Sequence, residues 1–552
     1  MTTSTPSSVP RPSVIRRCFG WPFSRRGLRS ILFAAVVVAT LFGLLYAVEN
    51  WRGRRAWDAY RTEATARGVI LDYAKLMPPS VPDDQNFALT PFFQPLFDFE
   101  PGSQKPRDLG AQLRTREFAT QFLTEVPAAR QEQLRSVVSK EKQQQMNGDW
   151  RRGWPRDQVA IYLLHKLDTN NPARSAPGFA PDKIDATTAA ADILDNLRKF
   201  DPIMAEIRQA AQRPFSRFKI HYEEEDLASV QLPHLGVLKN LAQLLSYRAS
   251  AQLVLRRTDD ALDDILLGMR LSDALDKERT LISYLVRIAI VNLVVQPVWE
   301  GLADRQWSDG QLQTLAKAFA RENPIVAMNY ALDGERGFSN SIIEYLRRKP
   351  QNWNTMINSP ESTDQTSGRA FVSVMPSGWF YFEQVEYNKM FDAMLKDAIG
   401  ASDHQIDPVA YTKYWAGIET ALHNAPGQAF WRHQAFAQLL LPYVSKVVQR
   451  TANMEATLAE VRTAIALDRF SLVNKSYPET LAALVPSYLA EVPKDVIKGG
   501  PLKYQRTADG RYQLYSLGWN GVDDGGKRVL VREGGKPLAD DGGDWVWSYS
   551  AE

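Results

Sequence analysis

The sequence predicts a mainly α protein with a single N-terminal transmembrane helix, a large helical domain, and a small C-terminal α+β domain carrying an antiparallel sheet. Three observations predict it. Ile31 to Val48 is an unbroken run of eighteen residues without a charge. From about residue 186 to 345, and again from near Trp431 towards Leu472, apolar residues recur with helical spacing. After that the texture changes to short alternating runs separated by Pro, Gly and Asp, the signature of strands and turns.

The apolar run comes first. At about 1.5 Å rise per residue, eighteen residues span roughly 27 Å, close to the hydrocarbon thickness of a bilayer. Thr40 can bond back to the helix backbone, and Gly43 is tolerated in lipid. Six arginines precede the run: Arg11, Arg16, Arg17, Arg25, Arg26 and Arg29. Arg52, Arg54 and Arg55 follow it, diluted by Glu49. The larger cationic excess is retained in the cytoplasm, so the expected orientation is N-in, C-out, in a bacterial inner membrane with the bulk on the periplasmic side. Tyr46 and Trp51 fall where an interfacial aromatic belt belongs. The segment after Val48, ENWRGRRAW, is bulky and charged and offers no small-residue cleavage site, so a retained signal anchor is expected rather than a removed signal peptide. A second apolar stretch, Leu281 to Trp299, carries Arg287, Asn292, Gln296 and Pro297. An arginine at the centre of a bilayer costs about 2.5–3.5 kcal/mol on insertion scales, so this stretch is expected to be a buried helix of the water-soluble body.

Charge bounds the partners. Of the net +3, the six N-terminal arginines supply +6, which leaves the remainder at −3. A mildly acidic body argues against a nucleic-acid surface. The single cysteine, Cys18, lies before the apolar run and can form no intramolecular disulfide or nucleophile in the main domain.

These signals divide the chain into a disordered basic tail (1–29), the membrane helix (30–48), a membrane-proximal mixed region (49–185), a helical domain (186–430), and a long helix plus α+β domain (431–552). The membrane helix is expected to run on past the bilayer to a stop at Gly68. Trp150-Arg151-Arg152 and Trp154-Pro155-Arg156 are expected as surface or membrane-proximal packing. Thr258 is expected to cap a helix with Asp259 and Asp260 in its first turn, following a helix from Leu235 to Arg256. This hairpin resembles one tetratricopeptide-type unit, with Ala249 and Ala261 where helices approach, but only one unit is visible where such arrays need about three, and a generic helical bundle is the favoured expectation. Residues 350–410, rich in Asn, Ser and Gly, are expected to form a long connection or lid.

At the C-terminus Leu502 and Tyr504 pair by alternation with Tyr512 and Leu514 around a Thr507–Gly510 turn, a β-hairpin. The segment also carries Tyr477-Pro478, Leu484-Val485-Pro486-Ser487-Tyr488-Leu489, Pro493-Lys494-Asp495 and Leu514-Tyr515-Ser516-Leu517-Gly518. In this combination, over about 90 residues, it resembles the globular domain of the major (G-type) pseudopilin of type II secretion systems. As a whole the chain resembles bacterial membrane-anchored proteins with pseudopilin-like C-termini. It lacks the pseudopilin processing site and a membrane segment beside the long helix, so the resemblance implies a fold and not a fibre. The family's acidic loop binds calcium, and the matching residues are Asp523, Asp524, Asp541 and Asp544, with Asn520, Asp540 and the Leu517 carbonyl beside them. Read from the residues alone, the same Asp-Gly stretches are turns.

No catalytic constellation stands out. Gly521 to Arg528 satisfies G-x-x-x-x-G-K but ends in Arg and sets Asp523 and Asp524 against any phosphate. His221 to Asp226 puts one histidine beside acids without a second metal-ligating cluster. Glu419 and His423 share a helical spacing common to surface pairs. Gly337-Phe338-Ser339-Asn340-Ser341 lacks the second glycine of a nucleophile elbow, and pairs such as Asp263/Asp264 cannot be placed from sequence. The expectation therefore leans away from an enzyme: a membrane-anchored envelope protein that binds a protein partner or assists assembly, held in lipid through Ile31–Val48. An envelope hydrolase with a carboxylate site built from distant helices, and a secretion-system accessory subunit, remain as alternatives.

Overall fold

A computed structural model describes residues 25–101, 103–118, 146–166, 184–222, 227–352, 372–373, 375–398, 405–423, 432–528, 532–533, 536–537 and 542–549. The basic tail before residue 25 lies outside them. The described chain is mainly helical, with a three-stranded antiparallel sheet near the C-terminus and an apolar helix at the N-terminal end.

Helix α1 (Arg25–Ala66) runs 42 residues without a break, about 63 Å. It is long and apolar enough to cross a membrane. Leu32, Phe33, Leu41 and Phe42 are exposed along it. Beyond Glu49 one face becomes buried: Trp57, Tyr60 and Ala64 pack with Val385. The chain then turns at Gly68, where φ is +82° and only glycine sits without strain.

The body is built from α2 (Pro233–Val254), α3 (Thr258–Asp273), α4 (Leu281–Ala303), α5 (Asp309–Ala320), α6 (Pro324–Arg348), α7 (Ser377–Ala398) and α8 (Val447–Asn474). Shorter helices pack beside them. The α2–α3 hairpin forms as expected, with Ala249 and Ala261 fully buried where the two helices meet. Thr258 differs from expectation. It is the first helical residue rather than the cap, and its Oγ1 instead accepts from Gln311 Nε2 at 3.0 Å. Asp259 and Asp260 occupy the first turn, favourable against the positive end of the helix.

Helix α4 also passes the length and composition test for a membrane span, yet 61% of its apolar window is buried in the body. Arg287 pairs with Asp276 at 2.6 Å and with Glu322 at 2.8 Å, so the cation that argued against lipid is neutralised inside the fold.

Two cores organise the body. One gathers Phe87, Phe93, Leu238 and Leu241. The other includes Trp299, Phe319 and Phe391 and continues without interruption into Tyr512 and Trp547 of the C-terminal sheet. That sheet consists of β1 (Lys503–Arg506), β2 (Tyr512–Ser516) and β3 (Trp545–Trp547), all antiparallel in that order. The expected hairpin forms around Gly510, with Tyr504 opposite Leu514 and Leu514 opposite Trp547. Helix α8 packs against β2 and β3, with Thr457 and Glu460 beside Trp545 and Val546.

Two expectations are corrected. The Trp-Arg clusters are anchored in the core and not simply surface: Trp150 packs on Trp547 with ring centroids 5.2 Å apart and Arg156 is buried against Ser246 and Ser250, while Arg151, Arg152 and Trp154 are half-buried. Nor is 350–410 a connection throughout. It contains α7, a packed 22-residue helix, and the start of a second helix, Pro408–His423. Residues 353–371 of that stretch lie outside the described residues.

Candidate functional site

Helices α1 and α7 run side by side in the same direction. Gly378 meets Glu49 and Gly53 at one end, Val385 packs with Trp57 and Tyr60 in the middle, and Asp392 accepts from Tyr60 Oη at 2.9 Å and Arg67 Nη2 at 3.0 Å at the other. The approach at the first end is close because both residues are glycine. A Cβ on Gly53 would stand 2.0 Å from the Gly378 carbonyl oxygen, and one on Gly378 would stand 2.0 Å from the Glu49 carbonyl oxygen.

Beside this pair opens a cleft of about 730 Å³, within the range of small-molecule and peptide-side-chain pockets. One wall is the extension of α1: Arg54, Trp57, Asp58 and Arg61, the i, i+3, i+4, i+7 face of a helix. The segment Leu71–Met77 forms a second wall, fixed by Asp72, whose carboxylate accepts from Ala74 N at 3.1 Å. Helix α6 supplies Asn340, Ser341, Glu344 and Arg348, and α7 supplies Tyr381 and Gln384.

The floor is a buried amide network. Asn388 Nδ2 donates to Asn340 Oδ1 at 2.8 Å, Gln384 Nε2 donates to the Asn340 carbonyl at 3.1 Å, and Asn340 Nδ2 donates to the Arg336 carbonyl at 2.9 Å. Gln384 Oε1 is buried with no hydrogen-bond partner among the described residues. Around the rim, charges pair locally: Arg61 with Asp58 at 3.0 Å, and Arg347 in a two-pronged contact with Glu344 at 2.7 and 2.9 Å. Burial, reinforced by nearby Glu278, pushes the hydroxyls of Tyr73 and Tyr222 up, so both stay protonated donors. This arrangement can hold a molecule with aromatic walls and amide hydrogen bonds. The serine among its described lining residues, Ser341, donates to its own helix at the Gly337 carbonyl, 2.9 Å away. The Gly337–Ser341 sequence thus lies within α6 and not on a strand-to-helix elbow.

The other clusters are structural in geometry. His234, Glu278 and Ser283 are joined, but in the wrong order for nucleophilic catalysis: Glu278 sits between His234 Nε2 at 2.8 Å and Ser283 Oγ at 2.5 Å. In a triad the histidine must stand between the serine and the acid. Asp264 is buried between Arg208 and Arg248, whereas its neighbour Asp263 faces outward. Glu460 and Asp544 each have a buried oxygen without a partner among the described residues, and burial pushes both carboxyls up. The cavity they share holds about 10 Å³, room for a water and not for a substrate.

Of the calcium candidates, Asp541 and Asp540 lie outside the described residues. Asp523 turns to Lys503 at 3.3 Å and Tyr515 Oη at 3.2 Å. Asp544 accepts the backbone N–H groups of Asp524 at 3.1 Å and Gly526 at 2.8 Å, and Asp524 accepts from Asn520 Nδ2 at 2.8 Å. Among the described residues no three His, Cys, Asp or Glu side chains are gathered as metal ligands. His221 stacks edge-on against Phe99, and the acids that follow it, like the side chain of His423, lie outside the described residues. Gly521–Arg528 is a chain of turns and opens no helix among the described residues.

Comparison with family models, with curated proteins and with solved structures finds no match for this chain. The site therefore rests on its own geometry. Sequence reasoning missed the amide floor because Gln384 and Asn388 lie in a stretch read as a connection. Their i, i+4 spacing amid Phe380, Tyr387 and Phe391 was the available signal.

Proposed function

We propose that this chain is a non-catalytic, membrane-anchored binding protein of the bacterial envelope, with its N-terminus in the cytoplasm and its body on the periplasmic face of the inner membrane. One observation carries the reading. The apolar helix does not end in a linker. It continues into the body, is clamped there by α7, and forms a wall of the 730 Å³ cleft. Anchor and cleft are one mechanical unit, which suits a protein that presents a binding site at a set height above a membrane. The tyrosine and amide lining and the locally neutralised charges favour a protein segment over a strongly charged small molecule. On this reading the C-terminal helix-and-sheet domain, which shares the body's core, serves as a contact module.

Two measurements test this. Protease added to spheroplasts should digest the body and spare the tail and α1; a protected body removes the topology. A photo-crosslinking amino acid at Tyr381 or Ser341 should give discrete adducts in cells that the same group at Lys389, exposed on α7, does not. Equal labelling at all three positions removes the cleft as the binding site.

A further inference from the structure

The point at which the body first touches α1 fixes its height relative to the bilayer, given the anchor reading above. Glu49 directly follows the apolar run. Although charged it is only 9% exposed, because Trp379 Nε1 donates to its Oε2 at 3.1 Å and Arg52 pairs with its Oε1 at 2.6 Å. Gly378 N donates to Asn50 Oδ1 at 2.7 Å, and the Gly378 backbone is in contact with Glu49 and Gly53. At 1.5 Å per residue, positions 49–53 stand roughly 2–8 Å beyond Val48. The headgroup region adds about 5–7 Å on each side of the hydrocarbon. The first turn of α7 therefore cannot clear that layer.

The side chains at this level match it. His433 stacks on Phe382 with centroids 4.8 Å apart and meets Trp379 edge-on at 5.3 Å. Arg52 lies over the Phe382 ring, and Arg55 lies over the exposed Trp51. Amphipathic rings and long-stemmed cations are the residues that settle at a membrane–water boundary. We propose that the underside of the body, formed by Trp51, Arg52, Ser377, Trp379, Phe382 and His433, is a membrane-contact surface seated in the phospholipid headgroups of the bilayer that α1 enters. The body rests on lipid and does not hang from a stalk.

The test uses full-length protein with Cys18→Ser and one new cysteine at a time: Leu41→Cys, Ser377→Cys, Phe382→Cys or Lys389→Cys. Each is labelled with a fluorophore and reconstituted in phosphatidylcholine–phosphatidylglycerol vesicles. Nitroxide lipids carry the quencher either on the headgroup or on the acyl chain. Lys389 lies about 18 Å further along α7 than Ser377 and serves as the distant control. Headgroup quenching at 377 and 382 is expected to exceed that at 389 severalfold, with 41 quenched by the acyl-chain probe. If 41 is quenched but 377 and 382 behave like 389, the contact surface is refuted and the anchor stands. If 41 is not quenched, the anchor reading fails and takes the surface with it.

Discussion

Replacing Gly378 by alanine should loosen the hold of the body on α1. The added Cβ would lie 2.0 Å from the Glu49 carbonyl oxygen, whereas non-bonded heavy atoms settle at about 3.5 Å. The two helices must then part by roughly 1.5 Å at their crossing. Overpacking of this kind costs about 1–3 kcal/mol. Parting also stretches the Gly378–Asn50 and Trp379–Glu49 hydrogen bonds, each contributing about 1 kcal/mol net. Against this stands the better helix propensity of alanine, at most about 1 kcal/mol and less in a first turn. The balance is a loss of about 1–3 kcal/mol confined to the α1–α7 contact. The assay is native-state hydrogen exchange in lipid nanodiscs, read at amides 57–64 of α1, where about 1.4 kcal/mol corresponds to tenfold faster exchange. Gly417→Ala is the control, since nothing lies within 4 Å of its new Cβ and only the propensity gain remains. If Gly378→Ala leaves exchange in α1 unchanged while Gly417→Ala behaves as expected, the glycine contact is not what clamps the anchor.

Further expectations follow from buried charge. Arg287→Leu strands Glu322 and half-strands Asp276, and should cost about 3–5 kcal/mol in chemical denaturation; a cost below about 1 kcal/mol contradicts the pairing argument. Burial pushes the Glu383 carboxyl up to about 8, so the folded chain keeps a proton that the unfolded chain releases near its ordinary value of about 4.3. Its contribution to stability should fall as pH rises from about 4 to about 8 and then level off. Glu383→Gln should flatten that slope in melting curves taken across this range, and an unchanged slope refutes the assignment. Asp544→Ala removes the acceptor of two loop amides and should cost about 1–3 kcal/mol with or without calcium. A loss seen only when calcium is present would mean that the carboxylate serves a metal instead.

Parts of this fold were legible because their signals are local. The eighteen-residue apolar run, the α2–α3 hairpin and the alternation around Gly510 each carry their pattern within a few turns or a few residues. Helix α7 was not legible for a matching reason. Glu383, Gln384 and Asn388 are buried polar residues that interrupt its apolar face, and what satisfies them comes from far along the chain: Asn340 for the two amides, the Ala435 and Phe436 N–H groups for the acid. A window of sequence shows an ill-patterned stretch where the fold shows a hydrogen-bonded network. Trp150 and Arg156 fail in the same way, since aromatic-basic clusters read as surface until Trp547, Ser246 and Ser250 are brought to them. The candidate cleft inherits this difficulty, because its four walls are separated by up to some three hundred residues.

The two long apolar helices show what decides between core and bilayer. Both α1 and α4 are long and apolar enough to cross a membrane. They differ in what the rest of the chain offers them. Helix α4 carries a cation at Arg287, and the body supplies Glu322 and Asp276 at salt-bridge distance and buries most of the surrounding surface. Helix α1 carries no charge between Ile31 and Val48, and none of its apolar window is covered by the described body. At Glu49, the first charge after that window, partners appear at once in Arg52 and Trp379. The body thus begins to solvate α1 at the residue where a bilayer would stop doing so. That coincidence supports the proposed membrane boundary at Val48 and the proposed height of the body above it.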